Sequence, residues 1–148
     1  MERKVISKNK KAFFDYNIYD KFDAGIVLTG TEIKSVRQNK INLKDSFVRV
    51  ENGEVFLYNC HISPYEQGNR YNHEPERTRK LLLTKREILK LDSKVKKDGY
   101  TIVPLEIYII KGFAKLQIAL AKGKKLYDKR EDITKKTQQR DMDRLMKR

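Results

Sequence analysis

An Asn-Gly dipeptide, Asn52-Gly53, separates two stretches that are rich in β-branched and aromatic residues. The first stretch is DSFVRV, residues 45–50, and the second is EVFLYNCHI, residues 54–62. Asn and Gly both accept the positive φ angles that a two-residue hairpin turn requires. The sequence therefore predicts an antiparallel hairpin here, which makes the middle of the chain part of a β-rich domain.

Further stretches of the same character lie on both sides of this hairpin. Lys111-Gly112 separates two of them and predicts a second hairpin. With these stretches included, the sequence predicts about six strands. The additional candidates are residues 13–19 (FFDYNIY), 24–30 (AGIVLTG), 101–110 (TIVPLEIYII) and 113–120 (FAKLQIAL).

Two helices are predicted among these strands. Residues 31–40 have apolar side chains three apart, and Thr31 is the candidate N-cap. The second helix begins after Thr84, where T-K-R-E forms a capping box, and it ends at Asp98-Gly99. The apolar stripe of this second helix consists of Ile88, Leu91 and Val95.

Many strands joined by short turns favour a small closed or nearly closed barrel. A chain of 148 residues has room for one such domain with a modest core. We therefore expect a mainly β fold, a small oligonucleotide-binding-type (OB-like) β-barrel of about six strands with two or three helices. This domain is predicted to span residues 1–121, followed by a basic C-terminal tail over residues 122–148.

The net charge of +14 predicts a polyanionic partner, with nucleic acid ahead of an anionic membrane surface. A membrane-spanning helix needs roughly 20 consecutive apolar residues, and the longest apolar runs, such as residues 107–110, are far shorter. The basic N-terminal stretch is not followed by the apolar core of a signal peptide. We expect a cytoplasmic protein that does not bind a membrane, with a monomer as the default state.

The tail is the most strongly charged segment. Residues 122–148 hold eleven Lys or Arg and five Asp or Glu, so this segment has +6 of the total +14 and leaves +8 on the rest. With so few large apolar side chains, an isolated helix here would be marginal. Two hypotheses remain: a solvated charge run without function, or a segment that is disordered when free and becomes helical against a polyanion.

Residues 64–80 form the least regular segment between the strands. Glycine, proline and charged residues predict a long surface loop here. The loop either contacts RNA through its cations and two tyrosines or is a solvated connection without function. Its cations are Arg70, Arg77, Arg79 and Lys80.

Cysteine and histidine, the residue types most often used in catalysis and metal binding, are few in this sequence. Cys60 is the only cysteine, which excludes an internal disulfide, and we expect it to be a buried residue in a strand. His61 and His73 are too few for a zinc site, and an acid–base pair of the two in RNA cleavage is the enzymatic alternative. Neither a nucleophile motif nor a phosphate-binding loop accompanies them. The sequence therefore favours a binding protein over an enzyme, with no metal and no cofactor.

Several blocks of the sequence, taken in order, resemble the small protein B family, the transfer-messenger-RNA (tmRNA, or SsrA RNA)-binding proteins of bacterial trans-translation. The resemblance extends from Ile6 to the last residue. The blocks are AGIVLTGTEIKSVRQNKINLKDSFV (24–48), HISPY (61–65), NHEPERTRKLLL (72–83), TIVPL (101–105) and LAKGKKLYDKRED (120–132).

This resemblance implies an OB-type barrel that binds the tRNA-like domain of tmRNA. The complex would enter stalled ribosomes with elongation factor Tu, for rescue and for tagging of the nascent peptide. The tail would become helical in the empty mRNA channel and contact small-subunit ribosomal RNA at the decoding centre. The alternative hypothesis is a general basic ribosomal or rRNA-binding protein.

The resemblance also implies individual contacts. Asp23 departs from the family pattern, which more commonly has Glu there, and an aromatic residue at Tyr127 would stack on a ribosomal base. The implied tmRNA contacts are Tyr16, Asp23, Glu32, Lys34, Lys122, Gly123, Lys124 and Lys125. The implied ribosome contacts in the tail are Tyr127, Asp128, Lys129, Arg130, Lys135, Lys136, Arg140 and Arg144.

Overall fold

The computed structural model describes residues 3–65 and 72–124, and within these ranges it has nine strands and three helices. The strands are β1 (Lys4–Lys8), β2 (Tyr16–Ile26), β3 (Ile41–Asn42), β4 (Phe47–Glu51), β5 (Glu54–Tyr58), β6 (His61–Ile62), β7 (Arg79–Leu82), β8 (Thr101–Ile110) and β9 (Phe113–Gly123). The helices are α1 (Lys10–Asp15), α2 (Gly30–Arg37) and α3 (Lys85–Asp98).

Six of the strands form a ring. Their hydrogen-bonded order is β8-β4-β5-β7-β2-β9, and pairing of β9 with β8 closes the circuit. β1 joins β8 from outside the ring, while β3 and β6 form a separate two-stranded sheet. Every pairing is antiparallel. The predicted mainly β fold of about six strands with helices is confirmed.

Both predicted hairpins are present. Glu51 pairs with Glu54 around Asn52 and Gly53, whose φ angles are 51° and 79°. The β8–β9 turn repeats this geometry, with φ angles of 51° at Lys111 and 81° at Gly112. Both turns place two consecutive residues at positive φ, as the two-residue hairpin requires.

The helix boundaries are partly as predicted. Thr84 caps α3 with a complete capping box, and Gly99 ends the helix at a φ of 72°. The predicted cap of α2 is wrong, because Thr29 rather than Thr31 is the N-cap. The Oγ1 of Thr29 accepts from the amide of Glu32, while the Glu32 carboxylate accepts from the amide of Thr29. A capping box is therefore formed two residues earlier than expected.

The N-terminal strand predictions need correction. Residues 13–15, predicted as strand, lie in α1, which Asn9 caps by accepting from the amide of Ala12. The two predicted strands at 13–19 and 24–30 are replaced by the single strand β2, which has an irregular register between Ile18 and Lys21. An aromatic pair indicates a strand locally, but the Asn9 cap and burial of Ala12 decide for a helix.

The predicted loop at 64–80 is also partly wrong. Its last two residues begin β7, which pairs with both β5 and β2. Arg79, expected to be a surface cation, is completely buried. β7 is therefore one of the six strands of the ring rather than part of a connection.

The core lies inside the ring. Leu57, Leu81, Leu116 and Ile118 are among its fully buried side chains. Cys60 is buried as expected, although it lies between β5 and β6 rather than within a strand. Burial raises the pKa of its thiol to about 12. Cys60 therefore serves as a small apolar residue of the core.

The ring extends beyond the predicted domain boundary at residue 121. Gly123 still pairs with Tyr16 at the end of β9, and the amide of Lys124 donates to the carbonyl of Asp15 at 2.9 Å. The division between a folded domain and a tail remains a prediction, and the strand β9 extends two residues past the predicted boundary. No helix in the described parts of the chain is long and apolar enough to cross a membrane.

Candidate nucleic-acid interface

Four of the predicted tmRNA contacts lie together where the start of β2 meets the end of β9. Tyr16 pairs with Gly123, and Asn17 pairs with Lys122. The ring of Tyr16 is half-buried against a small apolar cluster that includes Ala12 and Ala121. The Tyr16 side chain therefore packs against this edge of the six-stranded ring, and only part of it is exposed to solvent.

The lysines at this edge lie close to aromatic rings. Lys122 Nζ is 4.5 Å from the centroid of the Tyr100 ring, and Lys124 Nζ is 6.0 Å from that of Phe14. Tyr19 packs edge-to-face on Tyr100, with the centroids 5.2 Å apart. Interleaved cations and exposed aromatic rings can bind phosphates and stacked bases.

Two of these aromatic residues, Phe14 and Tyr19, were not among the predicted RNA contacts. Phe14 is 68% exposed and Tyr19 is 47% exposed. Both lie in the stretch 13–19 that was predicted as a strand. Each is followed directly by an aspartate, Asp15 or Asp20, but no local pattern distinguishes these exposed aromatic rings from core residues.

Asp23 lies farther along β2 and is exposed. Its Oδ1 accepts a hydrogen bond of 2.8 Å from the hydroxyl of Tyr108 on β8. Lys34 is exposed on α2, with its Nζ 5.4 Å from the ring centroid of Tyr65. These two residues are accessible, but they are not part of the Tyr16–Lys124 edge.

Glu32 differs from the other predicted contacts because its side chain is completely buried. Arg77 donates to Oε1 at 2.7 Å and to Oε2 at 3.0 Å, and Arg79 Nε donates to Oε2 at 2.9 Å. Burial alone would raise the pKa of Glu32, but hydrogen bonds from Arg77, the Thr29 amide and Arg79 outweigh it and lower the pKa to about 2. The carboxylate is therefore ionised and occupied by protein donors.

Arg79 connects this buried carboxylate to the neighbouring chain segments. Its Nη1 donates to the carbonyl of Cys60 at 2.7 Å, and its Nη2 donates to the carbonyl of Pro75 at 3.1 Å. Glu32 was predicted to contact RNA, but in this structure its carboxylate joins α2 to β7 and to the segment before β7. Its side chain is buried and not accessible to RNA. No local sequence pattern indicates a contact between residues that are 47 positions apart.

The two histidines have separate partners among the described residues. His73 bonds through Nδ1 to the Thr31 hydroxyl and through Nε2 to the Ile62 carbonyl, both at 2.8 Å. His61 has a different neighbour, with its Nδ1 3.5 Å from Oε2 of Glu76. Both nitrogens of His73 are occupied by structural contacts, so it joins the start of α2 to β6.

The remaining predicted residues lie outside the described part of the chain. Among the tmRNA contacts this applies to Lys125, and in the loop it applies to Arg70. It also applies to all the predicted ribosome contacts, namely Tyr127, Asp128, Lys129, Arg130, Lys135, Lys136, Arg140 and Arg144.

A closed circuit of six strands in a chain of net charge +14, with Lys122 and Lys124 beside aromatic rings at one edge, is typical of a small RNA-binding β protein. The model of the SmpB protein family matches residues 6–148. The chain belongs to this family, which confirms the resemblance recognised from the sequence blocks.

Curated relatives and a solved structure agree with this assignment. An SsrA-binding protein of Anoxybacillus flavithermus is 62% identical, with 99% of this chain and 95% of the relative covered. An SsrA-binding protein of Carboxydothermus hydrogenoformans is 54% identical, with 97% of each chain covered. A solved structure described as "tmRNA-SmpB: a journey to the center of the bacterial ribosome" has a TM-score of 0.69 and 48% identity, and the match covers 83% of this chain and 87% of that one.

Proposed function

We propose that this protein binds tmRNA and takes part with it in the rescue of stalled ribosomes. The observation that carries the proposal is the 62% identity, over 99% of the chain, to a protein named for binding SsrA RNA. The likeness to a solved tmRNA-SmpB structure supports the same partner and adds the ribosome. The role is one of binding and delivery on cytoplasmic ribosomes, rather than catalysis.

The tRNA-like domain of tmRNA is the proposed ligand of the strand ring. Lys122 and Lys124 would bind its phosphates, and the half-exposed Tyr16 and the backbone at Gly123 would complete this edge. Lys125 would continue the basic run. Lys34 would add a phosphate contact, and Asp23 would accept hydrogen bonds from nucleotide amino or hydroxyl groups.

Glu32 has an indirect role in this proposal. Its carboxylate holds Arg77 and Arg79, so it fixes the start of α2, the helix that bears Lys34. Substitution of Glu32 would then weaken RNA binding through the geometry of α2. In this proposal Glu32 positions α2 for RNA binding and does not itself contact the RNA.

The basic tail is proposed to act on the ribosome. Its cations would contact small-subunit ribosomal RNA in the empty mRNA channel, and Tyr127 would stack on a base at the decoding centre. The tail would be disordered before binding and helical afterwards, and elongation factor Tu would accompany the complex to the ribosome. An occupied mRNA channel would exclude the tail, which would limit rescue to stalled ribosomes.

A gel-shift titration tests this division of labour. The full chain and a chain ending at Lys124 are titrated against tmRNA at physiological salt, with total tRNA as the competitor. Ending the chain at Lys124 preserves β9, whereas ending it at Ala121 would remove the pairing of Lys122 and Gly123 with β2. Binding to tmRNA that survives both competition and truncation supports the proposal.

Two other outcomes would contradict it. Equal binding to tmRNA and tRNA would favour a general basic ribosomal protein, because charge alone would then explain the affinity. Loss of specific binding on truncation would show that the tail, not the ring, recognises tmRNA. A thermal unfolding curve of the truncated chain controls for loss of the fold.

A further inference from the structure

Four residues from three segments form a connected group on the outer face of the ring. The Arg3 guanidinium lies over the Tyr108 ring, 3.6 Å from its centroid, and forms an ion pair with Glu106. The Tyr108 hydroxyl donates to Oδ1 of Asp23 at 2.8 Å. The group thus connects the N-terminal segment, β8 and β2 across the intervening strand β9.

Tyr108 is the rigid member of this group. It is only 4% exposed, although its hydroxyl reaches an exposed carboxylate. Burial and the hydrogen bond to Asp23 raise the pKa of Tyr108 to about 12, so its hydroxyl remains protonated and able to donate at physiological pH. Its burial and the Arg3 guanidinium over its face restrict rotation of the Tyr108 ring.

Asp23 gains a fixed orientation from this contact. An exposed aspartate otherwise rotates freely, and ordering a mobile side chain on binding opposes association. Oδ1 is taken by Tyr108, while Oδ2 has no hydrogen-bond partner within residues 3–65 and 72–124. One acceptor is therefore presented to solvent in a defined direction.

We propose that Tyr108 is a positioning residue for tmRNA binding: it holds Asp23 so that Oδ2 accepts a hydrogen bond from a nucleotide amino or 2′-hydroxyl group. Arg3 supports this action by fixing the Tyr108 ring. The inference rests on the proposed function and deepens it, because it assigns the RNA contact of Asp23 to one oxygen and names the side chain that orients it.

The test is a double-mutant cycle on tmRNA affinity with Tyr108→Phe and Asp23→Ala in the full chain. Tyr108→Phe keeps the ring and removes only the hydroxyl. We expect it to weaken tmRNA binding about three- to tenfold, the range that loss of one well-aligned hydrogen bond produces. In the Asp23→Ala background it should have no further effect, because the group that Tyr108 orients is already gone.

Tyr58→Phe is the matched control. The Tyr58 hydroxyl also bonds to a carboxylate, with both oxygens of Glu51 at 2.8 Å, but this pair joins β5 to β4. We expect tmRNA affinity to be unchanged in this variant. A loss equal to that of Tyr108→Phe would overturn the proposal, since it would show a general effect of removing a tyrosine hydroxyl.

A second variant keeps the inference testable if Tyr108→Phe unfolds. Arg3→Gln removes the cation over the ring, and it should weaken tmRNA binding only when Asp23 is present. Equal losses with and without Asp23 would indicate a direct phosphate contact of Arg3 and would overturn its supporting role. A direct phosphate contact of Arg3 would contribute the same binding free energy in both backgrounds, whereas a positioning effect requires that Asp23 be present.

The outcomes separate this inference from the function on which it rests. Wild-type protein that prefers tmRNA over tRNA, together with unchanged affinity of Tyr108→Phe, would overturn the positioning role and leave the proposed function intact. Equal loss from Tyr108→Phe in both Asp23 backgrounds would do the same. Wild-type protein without any preference for tmRNA would overturn both.

Discussion

Arg79 Nη2 lies 2.7 Å from Glu32 Oε2, and the side chains of both residues are completely buried. The pair joins the N-terminal turn of α2 to β7, and Arg77 binds the same carboxylate from a partly exposed position. A buried charge is stable only when its hydrogen-bonding groups are satisfied. The Arg79 guanidinium donates to backbone carbonyl groups, and the Glu32 carboxylate accepts from a backbone amide, so the hydrogen-bonding groups of the pair are used. The cluster therefore connects segments that are distant in sequence.

Glu32→Gln should destabilise the fold by about 3–5 kcal/mol, because it leaves two guanidinium groups without their buried counter-charge. The free energy of unfolding is measured by urea denaturation, with the midpoint and the slope compared with those of the wild type. A loss below about 1 kcal/mol would show that the cluster behaves like a surface pair.

Glu54→Gln provides the control for that experiment. Glu54 pairs with Lys80 at 2.9 Å, but about half of each side chain is exposed, 50% for Glu54 and 44% for Lys80. Solvent screens such a pair, so its removal should change stability by less than about 1 kcal/mol. The comparison isolates the effect of burial from that of charge removal.

The stability of the protein should fall between about pH 4.5 and pH 2. The pKa of Glu32 is lowered from 4.5 to about 2 in the folded protein, so in this range the unfolded state binds more protons. Its contribution is complete above the unfolded pKa and is lost as the pH falls through the folded pKa. Unfolding curves at several pH values should show a shallower dependence in Glu32→Gln; equal slopes for the two proteins would argue against this assignment.

Lys122→Gln should weaken tmRNA binding and lower its dependence on salt. If Lys122 neutralises one phosphate, the slope of log affinity against log salt should fall by about 0.9. Gel-shift titrations over a series of salt concentrations measure this slope. Lys111→Gln, at the opposite end of β9 in the hairpin turn, is the control and should leave the slope unchanged.

Gly53→Ala should destabilise the protein by about 1–2 kcal/mol. Gly53 has a φ of +79° with no atom within 4 Å of the added methyl group, so the cost comes from the backbone alone. Gly30→Ala is the matched change, because Gly30 also has open space but begins α2 without a positive φ. That variant should be neutral or more stable by up to about 1 kcal/mol. Similar thermal shifts for the two would contradict this account of the hairpin.

Tyr127→Ala should have little effect on tmRNA affinity and a larger effect on the peptide-tagging reaction. The stacking proposed for Tyr127 takes place on the ribosome, after tmRNA has bound to the ring. Gel shifts measure the first step, and tagging of a nascent chain on stalled ribosomes measures the second. Tyr127→Phe keeps the aromatic face and should retain tagging; normal tagging by Tyr127→Ala would remove the stacking role.

Local chemistry explains which elements could be predicted. The Asn52-Gly53 turn and the Thr84 capping box depend on residues within four positions of each other, so their geometry follows from the sequence. Helix α1 was not predicted, because aromatic Phe13 and Phe14 in its second half favour a strand. The Asn9 amide bonds to the Leu105 carbonyl at 2.7 Å, which holds the start of that helix to β8.

The functional residues divide in the same way. The ordered sequence blocks indicate the family, because several of them are individually specific, and the resemblance implies the candidate RNA contacts. Whether a candidate is exposed depends on partners from elsewhere in the chain. Sequence spacing does not show that Glu32 meets Arg77 and Arg79, or that Asp23 meets Tyr108 across 85 residues.

The sequence alone therefore determined the β-rich class, both hairpins, helix α3, the basic character and the membership of the SmpB family. The tertiary structure alone decided that Arg79 is an interior strand residue, that protein donors occupy the Glu32 carboxylate, and that Asp23 accepts from Tyr108 through Oδ1. The physical reason is that burying a charge has a large desolvation cost, which only correctly placed partners offset. Those partners come together when distant strands pair, so no local pattern contains them.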